Sequence, residues 1–334
     1  MAITHYSSLD TGAPALPSVS GQRFIDNLKL IFKACLVDGY GAKPAAGWTV
    51  GHEHADGFSL SNGEGFINFV SVSNQTVAVY LMESITDTST ALAGGYNRRS
   101  GPWFDGESTT ARQYLYAPAF YATVANKQWF VVADDKTVVF EFCGNSTAVD
   151  ASSQHAGAVY FGAYTSSLGI RGFCALGGGA STTSTPSLLS PTNTRGTVLR
   201  NPFTGSVDQG AAPGYTTKPP GESANSGSVV RIKPLTSIAL RPVRLAMSGS
   251  GIGISGSTNT IFSVNCGLLR GLVGDPYLTD NYLTPVLQAL GIASPVYADR
   301  LKAITLPNGN QWVPLYPFAG DAGAFVSLDP ADWS

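Results

Sequence analysis

The sequence has little charge. Only 13% of its 334 residues are Asp, Glu, Lys or Arg, against about a quarter in an average soluble domain. A sparsely charged surface has little self-repulsion to keep molecules apart. We therefore interpret the chain as a subunit that buries much of its exterior against neighbours, with a slightly adhesive monomer as the alternative. The net charge of −2 argues against a basic groove for nucleic acid.

Cysteine is also scarce, and its spacing is uninformative. The 4 cysteines, Cys35, Cys143, Cys174 and Cys266, are scattered with no CxxC pair. Buried, reduced thiols in a protein made in a bacterial cytoplasm are the simplest interpretation. The opening residues, Met1–Gly12, are polar, and no apolar run approaches the length of a membrane span. We therefore expect neither a signal peptide nor a transmembrane segment.

Familiar catalytic and nucleotide-binding motifs are missing. The sequence contains no G-x-S-x-G elbow, no H-E-x-x-H and no Walker loop. The segment Gly251–Gly256 (GIGISG) matches G-x-G-x-x-G, but the strand-like run STNTIFSV follows it. A dinucleotide site needs a helix at that point. We interpret the segment as a glycine-rich turn, and we predict no cofactor.

Carboxylates occur in several close pairs, which is the arrangement that glycosidases use. The pairs are Asp134 with Asp135, Asp105 with Glu107, and Asp329 with Asp332. The first is better interpreted as a hairpin turn and the last as part of an exposed C-terminal segment. The sequence therefore predicts no catalytic residues and no enzyme.

A histidine-rich segment, GHEHADG, is the one candidate metal site. His52, His54 and Asp56 would share one face of a strand, and with further ligands they would bind a divalent ion. The chain has only 4 histidines, and glycines flank the segment. We interpret it as a polar turn and predict no metal site.

The strongest local pattern is an amphipathic helix. It has a single apolar stripe made of Phe24, Leu28, Ile31, Phe32 and Cys35. The pattern predicts a helix over Arg23–Leu36, with Ser20 as its N-cap and Gly39 just beyond its end.

From Phe58 onward the hydrophobic period is two, and 38 glycines and 20 prolines favour many short strands joined by turns. The predicted strands are Gly65–Val72, Gln75–Glu83, Gln113–Tyr121, Gln128–Ala133, Thr137–Cys143, Ala158–Tyr164, Val229–Ile232, Ser237–Ala246 and Thr260–Val264. A short helix is predicted over Tyr282–Leu290. Leu301–Leu306 and Gln311–Tyr316 should form a hairpin, with Asn308-Gly309 as a type I′ turn.

The predicted fold is mainly β, with a sandwich-like or partly open barrel body, one N-terminal amphipathic helix and long surface loops. Residues 1–20 are predicted to be an extended arm that reaches a neighbour, and residues 21–176 a helix plus β-rich domain. Residues 177–228 are rich in Gly, Ser, Thr and Pro, and they are predicted to be a surface excursion. Residues 229–334 form a β-rich C-terminal part, in the same domain or an abutting one.

One loop carries residue types that concentrate binding energy at interfaces. The segment NRRSGPWF places Arg98, Arg99, Trp103 and Phe104 close together. We interpret these four as a candidate interaction surface. The alternative is an ordinary loop with two solvated arginines.

The segment Arg23–Thr49, RFIDNLKLIFKACLVDGYGAKPAAGWT, resembles the N-terminal signature of a family of tailed-bacteriophage virion proteins. In that family a block of the form LIxLLxACLVxGYGxKxAAGWT precedes a β-rich body. The resemblance continues in four later blocks, which are YLMESITD (Tyr80–Asp87), KQWFVVAD (Lys127–Asp134), AVYFGAY (Ala158–Tyr164) and LLRGLVGDPYL (Leu268–Leu278).

The resemblance implies a structural component of a tailed-phage virion, in the tail tip or baseplate. Such a protein is assembled in the host bacterial cytoplasm and acts as a homo-oligomer together with other virion proteins. It also implies a role in host attachment, through a cell-surface receptor or glycan. The alternatives are a glycan-binding or polysaccharide-degrading virion protein, and a head-associated decoration or minor capsid protein.

Overall fold

The computed structural model describes residues 2–16, 23–100, 103–104, 113–117, 128–143, 155–179, 188, 194–207, 214–218, 240–248, 263–279, 288, 301–306, 308–315 and 322–334. The chain is mainly β, with one N-terminal helix and a strongly curled half-barrel sheet. This confirms the predicted fold class. Among the described residues, no helix has the length and apolar character needed to cross a membrane.

The helical segments are α1 (Phe24–Phe32), a π-helical turn (Lys33–Asp38) and a 3-10 helix (Pro330–Trp333). The described strands are β1 (Thr4–Ser7), β2 (Thr49–Glu53), β3 (Gly57–Ser61), β4 (Phe66–Ser71), β5 (Thr76–Met82), β6 (Ser84–Asp87), β7 (Gly94–Tyr96), β8 (Arg99–Ser100), β9 (Trp103–Phe104), β10 (Gln113–Tyr116), β11 (Gln128–Ala133), β12 (Thr137–Cys143), β13 (His155–Ser166), β14 (Arg171–Gly179), β15 (Thr194–Val198), β16 (Gly214–Lys218), β17 (Arg241–Ser248), β18 (Ser263–Thr279), β19 (Ile304–Thr305), β20 (Gln311–Leu315) and β21 (Ala322–Ser327).

The predicted apolar stripe of the helix is buried. All five of its residues belong to one core cluster, which confirms the interpretation of that pattern. The helix begins at Phe24 with Arg23 in the N-cap position, so the prediction of a cap at Ser20 is wrong. Arg23 instead forms an ion pair with Asp26 in the first turn, at 3.0 Å.

The glycine-rich loop after the helix folds back onto its C-terminal end. Gly39 has a φ of 76° and a ψ of 169°, a backbone conformation that only glycine adopts readily. The backbone N–H of Ala46 donates to the carbonyl of Cys35 at 3.1 Å, and the N–H of Trp48 donates to that of Leu36 at 3.0 Å. The loop thus satisfies carbonyls that a helix end leaves open, and it delivers Trp48 into the core.

One antiparallel sheet joins both parts of the chain. β11, β12, β13 and β14 are successive neighbours, and β14 also pairs with β10 and β15. One edge of β13 is shared, because residues 155–162 pair with β12 whereas Tyr164–Ser166 pair with β18. β18 then continues to β17 and β21. The C-terminal strands therefore extend the sheet that the first half begins.

The central strands are buried on both faces. Along β11, Val131 and Ala133 join the core cluster beneath α1, whereas Phe130 and Val132 join a second cluster with the C-terminal strands. Strands that are covered on both faces consist of continuous apolar residues rather than alternating ones. This accounts for the run QWFVVA.

Most predicted strands are present, with ends shifted by a few residues. β4, β5, β10, β11, β12 and β13 correspond to the six predictions between Gly65 and Tyr164. β17 and β18 overlap the predictions Ser237–Ala246 and Thr260–Val264. Val229–Ile232 lies outside the described residues, as does the predicted helix Tyr282–Leu290 except for Gln288, which is helical.

Two segments that were predicted to be an extended arm and a surface excursion contribute strands to the chain's own sheet. Thr4–Ser7 pairs with β11, and Tyr6 is fully buried. Within the predicted excursion, β15 and β16 continue the sheet. The prediction is therefore wrong for these strands. Residues 17–20, 180–187, 189–193, 208–213 and 219–228 lie outside the described residues.

The predicted C-terminal hairpin is confirmed, since β19 pairs with β20, but its turn is not type I′. Leu306 donates to the carbonyl of Asn310 at 2.8 Å, and Gly309 donates to the carbonyl of Leu306 at 2.9 Å. These bonds join Leu306 to Asn310 and to Gly309, whose φ is 87°, as in hairpins with a three-residue loop. A two-residue loop would need an N–H from Pro307, which proline lacks.

Three of the four cysteines, Cys35, Cys174 and Cys266, are buried thiols, as the sequence predicts. Burial raises the pKa of both Cys35 and Cys174 well above the usual value. These two thiols are therefore uncharged and pack as small apolar groups. The Cys143 side chain is outside the described set.

His5 in β1 makes the sheet sensitive to acid. Its ring lies 6.2 Å from the ring of Phe130, and burial, followed by the charge of Lys43, lowers the pKa of His5 from 6.5 to about 4. The fold favours the neutral imidazole. The neutral ring of His5 therefore contributes its full stabilisation above pH 6.5, and this stabilisation is lost as the pH falls toward 4.

We expect acidification from pH 6.5 to about 4 to lower the free energy of unfolding by roughly 3 kcal/mol through His5. Urea unfolding of His5→Gln and of the unmodified chain, measured at both ends of the window, checks this. The variant should lose less stability on acidification. Leu9→Gln serves as the control, because Leu9 is exposed and its side chain has no ionisable group, and we expect it to keep the original pH dependence. Equal losses in His5→Gln and the unmodified chain would refute the role of His5.

Candidate functional site

A groove of about 430 Å³ opens beside the hairpin of β13 and β14. Its volume is within the range of about 300–1,000 Å³ that is usual for small-molecule sites. Among the described residues it is lined by Glu64, Glu83, Tyr164, Ser166, Ile170, Arg171, Gly172, Phe173, Leu199, Arg200, Asn201, Pro202 and Gly205. Four separate stretches of chain thus meet at this groove.

The shape of the groove depends on close packing at Gly172. A Cβ at this position would lie 2.5 Å from the ring of Tyr164, which is closer than any side chain tolerates. Tyr164 and Phe173 are both buried. Glycine therefore allows the Tyr164 ring to lie flat against β14, and Phe173 forms the neighbouring wall.

Two ion pairs cross the groove. The Arg171 Nη1 lies 2.9 Å from the Glu64 Oε1, and the Arg200 Nη2 lies 2.6 Å from the Glu83 Oε2. The hydrogen bond to Glu83 raises the pKa of Arg200 further, so Arg200 stays charged. Both guanidinium groups are largely exposed, so each pair adds at most about 1 kcal/mol to stability. The pairs position polar groups more than they stabilise the fold.

The two carboxylates differ in how completely they are bonded. Glu83 has a partner on each oxygen, because its Oε1 also accepts from the Asn97 Nδ2 at 2.7 Å. Glu64 receives Arg171 on Oε1, with the Lys136 Nζ 3.6 Å from the same oxygen. The Glu64 Oε2 is buried and has no hydrogen-bond partner within the described part of the chain. The protein encloses this oxygen, so the groove exposes other atoms of Glu64 and not its Oε2.

Sequence reasoning missed both groove carboxylates. Nothing local marks Glu83, and the signal for Glu64 is weak, namely a carboxylate in the turn NGEG before a predicted strand. Of the predicted pairs, Asp105 and Glu107 lie outside the described residues. Asp329 caps the 3-10 helix by accepting from Ala331 at 3.0 Å. The expectation of an exposed end needs correction, because Trp333 in that helix is buried.

The histidine segment does not converge on one point. The His52 ring lies 3.0 Å from the Ser59 Oγ and 3.1 Å from the Ala91 carbonyl, and burial lowers its pKa. His54 contacts the carbonyl of Thr88, and Asp56 pairs with Arg23. Across the described ranges, no group of His, Cys, Asp and Glu is arranged to hold a metal ion.

The candidate interaction surface is not assembled as the sequence predicts. Arg99 is 6% exposed; its Nε donates to the Asn97 Oδ1 at 2.8 Å, and its Nη2 donates to the Val207 carbonyl. Arg99 therefore links two loops inside the protein, and its assignment to an interaction surface is wrong. Arg98 is partly buried. Trp103 and Phe104 form β9, which pairs with β8, and their side chains are outside the described set.

A second polar cluster joins the two parts of the sheet. The buried carboxylate of Asp134 accepts from the Arg270 Nη2 at 2.8 Å. Arg270 also donates to the Thr137 Oγ1 at 2.8 Å and to the Trp333 carbonyl at 2.6 Å. The Tyr160 hydroxyl accepts from the backbone N–H of Arg270 at 3.1 Å. Asp134 does form the predicted turn, since it accepts from the N–H of Thr137 at 2.7 Å.

No protein-family model matches the chain, and no curated protein or solved structure matches it. The resemblance to tailed-phage virion proteins therefore stays a prediction that rests on the quoted sequence blocks.

Proposed function

We propose that the chain is a structural subunit of a tailed-bacteriophage virion, in the tail tip or baseplate. It acts by assembly with other virion proteins and with copies of itself. The sequence resemblance of Arg23–Thr49 and of the four later blocks supports the phage assignment. The structural observation that carries the assembly role is a cluster of exposed apolar side chains at one end of the sheet.

This cluster, the hairpin patch, consists of Leu168, Ile170 and Leu268, which are 61%, 39% and 43% exposed. Leu168 and Ile170 lie in the turn between β13 and β14, and this turn lies beside β18, because the N–H of Ser167 donates to the carbonyl of Cys266 at 3.0 Å. The patch holds three of the seven large hydrophobic residues that are exposed in the described part of the chain. Apolar side chains gathered in one exposed area mark interaction sites.

Several of the resembling blocks contribute core residues. KQWFVVAD forms β11, AVYFGAY lies in β13, and Trp48 of the first block donates its indole N–H to the Asp134 carbonyl at 3.0 Å. Residues in such positions specify how the helix packs on the sheet. The resemblance therefore supports a shared fold and a shared place in assembly more than a shared chemical reaction.

A polysaccharide-degrading role has weaker support. Glycoside hydrolysis needs two carboxyl groups that reach the scissile bond. Glu64 and Glu83 both have guanidinium partners. The groove is better suited to holding a ligand than to cleaving one.

Quantitative mass spectrometry of gradient-purified particles tests the proposal. We expect the chain to be present at a fixed whole-number ratio to a known capsid protein, and to remain after repeated gradients. A phage-encoded replication protein serves as the control for carry-over from the lysate. A chain that is abundant in the lysate but depleted from the particles as fully as this control would rule out a structural role.

A further inference from the structure

We propose that the end of the sheet that carries the hairpin patch binds an extended, acidic segment of a partner protein. In that segment two carboxylates, four residues apart, flank an apolar side chain. Given the assembly role proposed for the hairpin patch, on which this inference rests, the segment is the part of a neighbouring subunit that the patch receives.

A row of directly opposed residues crosses this end of the sheet. Thr165 of β13 pairs with Arg171 of β14 on one side and with Leu268 of β18 on the other. Leu268 pairs in turn with Arg244 of β17. Opposed residues of antiparallel strands point to the same face, and all four are exposed. These four residues form the arginine row, which has an arginine at each end and Leu268 between them.

The charge that faces solvent along the row is positive. The side chain of Arg171 is 69% exposed, whereas that of its partner Glu64 is 20% exposed. The same Glu64 oxygen lies 3.6 Å from the Lys136 Nζ, so one carboxylate serves two cations. Arg244 forms no ion pair with any residue that the structure describes. Three cations thus accompany one carboxylate, and an anionic partner complements this surface.

Both arginines keep N–H groups with which to bind a carboxylate. A guanidinium has five N–H groups, and it binds a carboxylate best through two parallel ones. Arg171 donates to Glu64 through Nη1, which leaves its Nε and Nη2 for a second carboxylate. At Arg244 the whole guanidinium is available. Each end of the row can therefore bind one carboxylate of a partner.

The strand spacing fixes the distance between those carboxylates. The two arginines are three strand spacings apart, which is about 14 Å between their Cα atoms. An extended chain rises about 3.3 Å per residue, so four residues span about 13 Å. Side chains at i, i+2 and i+4 share one face of an extended segment. A segment that crosses the strands thus places acidic side chains i and i+4 at Arg171 and Arg244, with side chain i+2 above Thr165 and Leu268.

The apolar side chains favour a peptide over other anions. Leu268 lies within the row, and Leu168 and Ile170 lie in the turn beside it, all three exposed. Proteins that bind single-stranded nucleic acid combine cations with aromatic side chains on which bases stack, and the row contains no aromatic residue. A peptide with an aliphatic side chain between two carboxylates matches both the arginines and the leucines.

Fluorescence anisotropy of labelled peptides, titrated with the full chain, tests the proposal. The probe is SESLSES, which has glutamates four residues apart around a leucine. We expect SQSLSQS, without the two charges, to bind about tenfold more weakly, since each exposed ion pair contributes up to about 1 kcal/mol and 1.4 kcal/mol is a factor of ten. SESESLS, with the same composition but glutamates two residues apart, should also bind more weakly, and SKSLSKS should not bind.

Variants of the row identify the site. Arg244→Gln should weaken SESLSES binding by about threefold to fivefold, and Leu268→Ser by about fivefold, because less apolar area is buried. Both positions are exposed, so the fold is retained. Arg241→Gln is the matched control, because Arg241 is an exposed arginine of the same strand that pairs with Gly274 outside the row; it should bind like the unmodified chain. Arg244→Glu should prefer a probe with one lysine, tested as SESLSKS and SKSLSES.

Equal binding of SESLSES and SQSLSQS would overturn the proposal, as would unchanged binding by Arg244→Gln or no gain for the lysine probes with Arg244→Glu. Tighter binding of oligothymidylate or of phosphatidylglycerol vesicles than of SESLSES would assign the surface to nucleic acid or to a membrane, and would also overturn it. These outcomes do not bear on the presence of the chain in particles. Conversely, a chain absent from particles would contradict the structural role while leaving the peptide measurements intact.

Discussion

Phe32→Ala is expected to lower the free energy of unfolding by about 3–5 kcal/mol. The Phe32 side chain is fully buried, and its ring centroid lies 4.9 Å from that of Phe140, 5.3 Å from Phe161, 5.4 Å from Phe69 and 6.5 Å from Phe58. These four rings belong to hydrogen-bonded strands, so they cannot move inward to fill the space. The cost should therefore lie at the upper end for a core truncation.

Urea unfolding followed by tryptophan fluorescence measures this loss. Leu30→Ala is the control on the same helix, because Leu30 is 40% exposed. Surface substitutions usually change stability by less than about 0.5 kcal/mol. If both variants lost the same free energy, α1 would not be packed on the sheet through its apolar stripe.

Arg270→Ala is expected to cost about 3–5 kcal/mol, because it leaves the buried carboxylate of Asp134 without its cation. The Arg270 side chain is only 10% exposed and that of Asp134 is fully buried. Arg270 also holds the Trp333 carbonyl, so its loss should loosen the C-terminal 3-10 helix. Asp134→Ala should cost a similar amount, since it leaves a buried guanidinium and removes the acceptor for Thr137.

A double-mutant cycle separates the ion pair from the other bonds of these two residues. The double variant should be more stable than the sum of the two single losses predicts, by roughly 1–3 kcal/mol. The exposed pair Lys33–Glu53, at 2.8 Å, should show a coupling below about 1 kcal/mol in the same cycle. Additive losses at Asp134 and Arg270 would show that the pair does not join the two parts of the sheet.

Local patterns predicted the elements whose burial depends on near neighbours in the chain. The stripe from Phe24 to Cys35 specified the buried face of α1, because helical period and apolar spacing are properties of one segment. The apolar runs of β11 and β12, with Asp134 in the turn between them, were identified for the same reason. The type of the C-terminal turn was predicted wrongly. Asn308-Gly309 predicts a type I′ turn, but Pro307 has no N–H for the second hydrogen bond of such a turn.

The sequence could not predict the groove or the Asp134–Arg270 pair, because the residues that form each of them are far apart in the sequence. Glu64 meets Arg171 only after β13 and β14 have folded beside the β3–β4 turn. Arg99 belongs to a segment rich in Arg and Trp, which is typical of interfaces, yet tertiary structure buries it against Val207. Composition likewise suggested that the N-terminal segment is an arm, and only the pairing of β1 with β11 shows otherwise.

Locating the subunit in a reconstruction of the intact particle tests the central claim most directly. The account predicts density for this fold in the tail tip or baseplate, with Leu168, Ile170 and Leu268 buried against another subunit. It also predicts that β1 stays within its own subunit. A particle that lacks the chain would contradict the account, and so would a chain present with the hairpin patch facing solvent.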